Sequence, residues 1–124
     1  MPFEKLEDLR IYKESKLLVE IINNLLKDVK GLFKLLDQIE RSSQSVMENI
    51  AEMYGAYYYK VKKNSLRIAR KEAYETIAHV QQLYIKDVIN STISDNLIKR
   101  YKVLIRSINA YIKYLDKKDK DSNG

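Results

Sequence analysis

Apolar residues return along this chain at the three-and-four spacing of a helix, in four blocks separated by short breaks. In the first block Ile11, Leu18, Ile22, Leu25 and Val29 share one face and Lys, Glu and Asn fill most of the other, which predicts an amphipathic helix over 6–29. Gly31 follows Lys27, Asp28 and Lys30. A glycine past a cation-bearing last turn suits a helix C-terminus, where a positive φ and the negative end of the dipole are both accommodated. The second block carries Phe33, Leu36, Ile39, Val46, Ile50, Met53 and Tyr57 and predicts a helix over 32–57. Ser42, Ser43 and Ser45 interrupt that stripe. They are small enough for a neighbouring backbone to approach, and their hydroxyls can bond back to the preceding turn. Gly55 and Tyr57-Tyr58-Tyr59 mark the next break, after which Leu66, Ala69, Ala73, Ile77, Val80 and Tyr84 predict a helix over 60–89. Following Asn90-Ser91-Thr92-Ile93, Ser94 is the expected N-cap, with Asp95 in the first turn and Ile93 stapled onto Ile98. The last helix carries Leu97, Tyr101, Leu104, Ile108, Tyr111 and Leu115, backed by Ile98, Ile105 and Ile112. Beyond Asp116, residues 117–124 have nothing to bury and are expected to be disordered.

Four helices with short connections make an all-α, antiparallel up-down-up-down four-helix bundle the expected fold, as a single domain over 1–116. The wide apolar face of the fourth helix and the abundance of Tyr exceed what an interior seam needs, so part of that surface is expected to meet another subunit. Three Gly and one Pro in 124 residues are too few for the turns of an all-β chain. With no Cys and one His there is no disulfide framework and no Cys-based metal cage, which suits a reducing compartment such as the cytoplasm. No basic leader opens the chain and no apolar run approaches a membrane span, so a soluble protein with no membrane partner is expected. Charge changes the picture most. Residues 1–52 hold 8 Lys and Arg against 10 Asp and Glu, and residues 53–124 hold 15 against 7, so nets of −2 and +8 make up the overall +6. Any attraction to polyanions resides in the second half.

Gln38-Ile39-Glu40-Arg41, then Ser45, then Asn49-Ile50-Ala51-Glu52 resembles the signature of a bacterial family, the four-helix-bundle proteins encoded within intervening sequences of large-subunit ribosomal RNA genes. Leu66-Arg67-Ile68-Ala69 with Glu75, and the opening Phe3-Glu4-Lys5-Leu6-Glu7-Asp8-Leu9, are similar to that family as well. Where the family continues its tetrad with Gly-x-Gly-Arg, this chain has Met53, keeps Gly55 and has Ala56; Lys62 and Ser65 stand at positions that are commonly aromatic. The resemblance implies a homo-oligomeric ring, a pentamer. More distantly the chain resembles the accessory bundle that works beside the reverse transcriptase of diversity-generating retroelements.

Candidate chemistry is sparse. A di-iron bundle needs two Glu-x-x-His motifs and two further carboxylates, and one His excludes it. Glu75 and His79, one turn apart, suit a structural hydrogen bond better than a metal contact. Arg70 lies nine positions before His79, too far for a helical ribonuclease that spaces its Arg and His by four to six residues. The serines of the second helix have no base nearby, and Gly31, Gly55 and Gly124 are too isolated to cradle phosphate. Neither a catalytic residue, a metal site nor a cofactor is expected. Arg41, Ser45, Asn49 and Glu52 flank the second stripe and read as a polar seam, with Asn49 and Glu52 hydrogen-bonded to a neighbouring helix. In the third helix Lys60, Lys63, Arg67, Arg70 and Lys71 recur every three or four residues and Tyr74 continues the row. Cations with Tyr59 and Tyr74 beside them suit phosphate neutralisation with base stacking. A solvated face, or a contact with an acidic face of the first helix or of another subunit, accounts for the row equally well. Lys99, Lys102, Arg106 and Lys113 form a second row, expected to face solvent. The function expected is that of a non-enzymatic accessory oligomer binding RNA or DNA; the alternative is a scaffolding oligomer with a protein partner.

Overall fold

The turns, more than the apolar stripes, decide where each helix begins and ends. The computed structural model describes residues 5–123, and the helices are α1 (Arg10–Leu26), α2 (Phe33–Gly55), α3 (Tyr59–Ile85) and α4 (Ser91–Asn123). Phe3 and Glu4 of the family-like opening, and Gly124 of the expected tail, lie outside the described residues. Leu6–Asp8 is a 3-10 turn, and Leu9 after it is extended and buried, so the first α-helix starts at Arg10 and not at Leu6. Between α1 and α2 the chain turns through two left-handed residues, Gly31 (φ 76°) and Leu32 (φ 52°). The glycine adopts this freely; for the leucine it costs roughly 1–2 kcal/mol.

At its C-terminus α2 leaves carbonyls without a helical partner. Lys62, one turn into α3, donates from Nζ to the carbonyls of Met53 (3.0 Å) and Tyr54 (3.3 Å). A cation on the last carbonyls also complements the helix dipole. The ammonium therefore closes the α2–α3 connection at a position where the resembling family commonly has an aromatic ring. The start of α4 departs from expectation. Asn90 Oδ1 accepts a hydrogen bond from the Ile93 backbone N–H at 2.9 Å, so Asn90 caps the helix, and Ser94 lies inside the first turns with its side chain buried. Both residue types are good N-caps; the burial of Ser94 decides between them. At the other end α4 stays helical through Asn123, where a disordered tail was expected from 117. Lys63 of α3 supplies the reason, since it pairs with Asp116 at 2.9 Å and Asp119 at 3.3 Å and ties the last turns to the bundle.

The core is the expected one in outline. Leu18, Ile22, Ile39, Val46, Ile50, Met53, Leu66, Ala69, Ala73, Ile77, Val80, Leu97, Tyr101, Leu104, Ile108 and Leu115 are buried. Phe33 and Tyr57, expected at the two ends of the α2 stripe, are 82% and 86% exposed, and Leu83 replaces Tyr84 as the last core residue of α3. α1 packs on α2, α2 on α3, α3 on α4, and α4 returns to α1. Ser42 meets Thr76 while Met53 meets Lys62, so α2 and α3 run antiparallel. Lys63 meets Asp116 while Arg70 meets Asn109, so α3 and α4 do too. Among the described residues there is no strand, and no helix is long and apolar enough to cross a membrane. This is a four-helix bundle, and its helix order places the acidic half of the sequence in α1 and α2 and the basic half in α3 and α4.

Candidate nucleic-acid interface

Lys60, Lys63, Arg67, Arg70 and Tyr74 stand at spacings of three and four on α3, one stripe of the helix surface. Two contacts show what that stripe borders. Lys63 reaches Asp116 and Asp119, and Arg70 Nη1 donates to Asn109 Oδ1 at 2.7 Å; all three partners are on α4. On α4, Lys102, Arg106, Asn109 and Lys113 share one stripe by the same spacing, and all four are exposed. The residue of that stripe that touches α3 is Asn109. The two cationic rows, separate in sequence, therefore flank a single α3–α4 groove. Sequence reading missed this juxtaposition because it depends on the register between the helices. The signal for it, Asn109 within a Lys and Arg stripe, gains meaning only once Arg70 is seen to meet it.

Within the groove the cations are not equivalent. Lys63 is the most enclosed, its side chain 12% exposed between two carboxylates. Their hydrogen bonds and charges raise its pKa above the ordinary 10.5, and its ammonium holds the Asp116 carboxyl below 3.8. Arg70 is half-buried and held by Asn109. Lys60, Arg67 and Lys71 are exposed, and Tyr74 is 55% exposed. The row expected as one ligand surface thus divides into residues that lace α3 to α4 and residues that face outward. Tyr59 packs partly against the core, whereas Tyr57 and Tyr58, read from the sequence as markers of a break, are the open aromatic surface at this end.

The opposite flank of α3, toward α2, is acidic. Burial first, then the neighbouring Glu75 carboxylate, raise the Glu72 pKa above 4.5 against a smaller pull from Lys71. His79 lies one turn on. Burial lowers its pKa from 6.5 against the Glu75 charge, and its buried Nδ1 has no hydrogen-bond partner among the described residues, so the expected Glu75–His79 bond is not formed through that nitrogen. The α2 seam also differs from its reading. Asn49 Nδ2 donates to the carbonyl and hydroxyl of Ser45 on its own helix (2.9 and 3.1 Å), Arg41 pairs with Asp37 at 2.9 Å at the exposed surface, and Glu52 is exposed. The polar contact between α2 and α3 is instead made by Ser42 and Thr76, whose hydroxyl oxygens lie 2.8 Å apart in the core. Among the described residues no group of three or more His, Asp or Glu is placed to hold a metal ion.

The bundle has a counterpart among solved structures. A protein of unknown function from the S23 ribosomal protein family of Bacteroides thetaiotaomicron VPI-5482 is similar to this chain with a TM-score of 0.76 and 25% identity, over 83% of this chain and 98% of that one. No curated protein matches the chain. The model of the 23S rRNA-intervening sequence protein family matches residues 7–110, which takes in all of α1, α2 and α3 and most of α4 with Lys99, Lys102 and Arg106 of its basic row, and the chain belongs to that family.

Proposed function

We propose that the protein is a non-enzymatic, homo-oligomeric accessory protein that binds RNA or DNA along the phosphate backbone through its α3–α4 groove. The observation that carries this reading is the convergence of Lys60 and Arg67 on α3 with Lys102, Arg106 and Lys113 on α4, all exposed, around one groove. Lys63 is shared by the two carboxylates at its end and Arg67 also acts on Asp116, so the cations of that face still outnumber its carboxylates. Such a surface gains affinity from the counterions that the nucleic acid releases, and closed symmetry would multiply it. Sequence preference should be weak, since the contacts proposed are to phosphates and not to base edges.

The test is a salt titration of binding to a labelled RNA. Log affinity should fall linearly with log salt, at about −0.7 per phosphate contact on a single strand. Lys102→Glu with Arg106→Glu reverses two outward cations of α4 without touching the Lys63–Asp116 and Arg70–Asn109 contacts. It should weaken binding at least about tenfold at 50 mM salt, with helicity and oligomer size unchanged. Unaltered binding by this variant, or no binding by the parent, would refute the reading. The scaffolding alternative would then gain from the exposed Phe33, which lies with Gln82 and Lys86 where α2 starts and α3 ends.

A further inference from the structure

We infer that the α2–α3 connection is a base-stacking platform for single-stranded nucleic acid, seated at the open end of the cationic groove; this rests on the nucleic-acid reading above. Tyr57 and Tyr58 are 86% and 67% exposed, an unusual placement for consecutive aromatic residues. Their rings stand edge to face with centroids 4.9 Å apart, and both are open to solvent. Together with Tyr59, Lys60 and Asp119 they line an open cleft of about 550 Å³ between the connection and the last turns of α4. A volume of that order holds a planar ring system with its sugar.

The charges around the cleft suit a nucleotide. Lys60 is exposed on its rim and begins the cationic row of α3. Asp119 shares the Lys63 ammonium with Asp116, at 3.3 Å against 2.9 Å, which offsets part of its charge. The ammonium of Lys62 is committed to the α2 carbonyls and leaves Lys60 as the outward cation of the connection. A base stacked on Tyr57 or Tyr58 places its 5′ or 3′ phosphate toward Lys60, and the strand then continues along the α3–α4 groove. A duplex cannot offer an unstacked base to the rings, so the platform discriminates single strands from double strands without reading sequence.

The experiment compares three labelled 20-nucleotide probes by fluorescence anisotropy at 50 mM salt: single-stranded RNA, the same RNA as a duplex, and a strand with abasic sites. Replacing Tyr57→Ala and Tyr58→Ala together should lower affinity for the intact single strand by about 5- to 100-fold and change affinity for the duplex and the abasic strand by less than about twofold. Tyr57→Phe with Tyr58→Phe keeps both rings and should bind as the parent does. Equal loss on all three probes, or no loss on the intact strand, overturns the platform while leaving the groove reading intact; absence of parental binding to every probe removes both. A changed oligomer size in the alanine pair, by sedimentation, would show the rings to be a subunit contact and would also overturn the proposal.

Discussion

The hydroxyl pair between α2 and α3 is a direct test of how these two helices are held in register. Thr76 is fully buried and Ser42 is 3% exposed; the Thr76 hydroxyl oxygen lies 2.8 Å from both Ser42 Oγ and the Glu72 carbonyl. Each hydroxyl has one proton, so both short contacts are satisfied when Ser42 donates to Thr76 and Thr76 donates to Glu72. The remaining Ser42 contact, to the Ile39 carbonyl, is longer at 3.3 Å. Thr76→Val keeps the shape and removes the bond, leaving Ser42 with only the longer partner. A net hydrogen bond contributes about 0.5–1.5 kcal/mol, and a poorly satisfied buried hydroxyl pushes the loss to the upper part of that range, near 1.5 kcal/mol. With a urea slope of about 1–3 kcal/mol per molar, the midpoint should fall by roughly 0.5–1.5 M. Ser42→Ala in the same background should then cost little more, because both partners are gone, giving a coupling of about 1 kcal/mol in the double-mutant cycle. Urea unfolding followed at 222 nm, at one protein concentration throughout, measures all four proteins. Additive losses, with coupling below about 0.3 kcal/mol, would show that the two hydroxyls are merely adjacent and that the register is set by apolar packing alone.

Other sites give independent checks. Leu104, 2% exposed on α4, should cost about 2–5 kcal/mol when replaced by Ala, measured by the same unfolding assay. His79 is the single histidine, so its ring-proton resonances are unambiguous in NMR. They should titrate with a midpoint below 6.5, and Glu75→Gln should lower it further. A buried histidine of this kind destabilises the fold as the pH falls below 6.5 toward its folded value, and a His79→Gln variant should lose that part of the acid dependence. The Lys63–Asp116 pair acts in its own window. Its contribution is present above 3.8 and lost as the pH falls through the lowered value of Asp116, and it is lost again as the pH rises through the raised value of Lys63 above 10.5. The stability gap between the parent and Lys63→Gln at pH 7 should therefore close at pH 2, as read from urea midpoints.

The parts of this molecule that sequence makes legible are those set by local periodicity. Ile39, Val46 and Ile50, or Leu104 and Ile108, declare their burial by spacing alone, and the four helices follow from them. What depends on register stays hidden. The serine cluster of α2 is visible as small residues that admit a neighbour, but nothing marks Thr76 as the group that meets it. Lys63 looks like one cation of a row until α4 is seen to bring two carboxylates to it. Asn49 lies on the flank expected of a helix–helix contact, yet its amide finds Ser45 one turn back, an alternative that a helical wheel does not separate from an inter-helix bond. The charged stretch after Asp116 reads as a solvated tail because the lysine that pairs with Asp116 and Asp119 stands on another helix, far away in sequence. The outward rings of Tyr57 and Tyr58 follow from the end of α2 at Gly55, two residues earlier than apolar spacing suggests.

The order in which helices neighbour one another also bears on how the bundle is made. Three of its four packed pairs join segments that follow directly in the chain; the fourth brings α4 back to α1, the thinnest of the four contacts. That closure spans most of the chain and carries the largest loop entropy. It is crossed by a 3.5 Å ion pair, Arg100 with Glu14, of two side chains each more than a third exposed. Local pairs of this kind form early in helical proteins, and the weakly held element is the one that frays. The α4–α1 closure is accordingly the contact expected to form last during folding and to open first in the native state. The α3–α4 groove belongs to the segment that closes early and opens late.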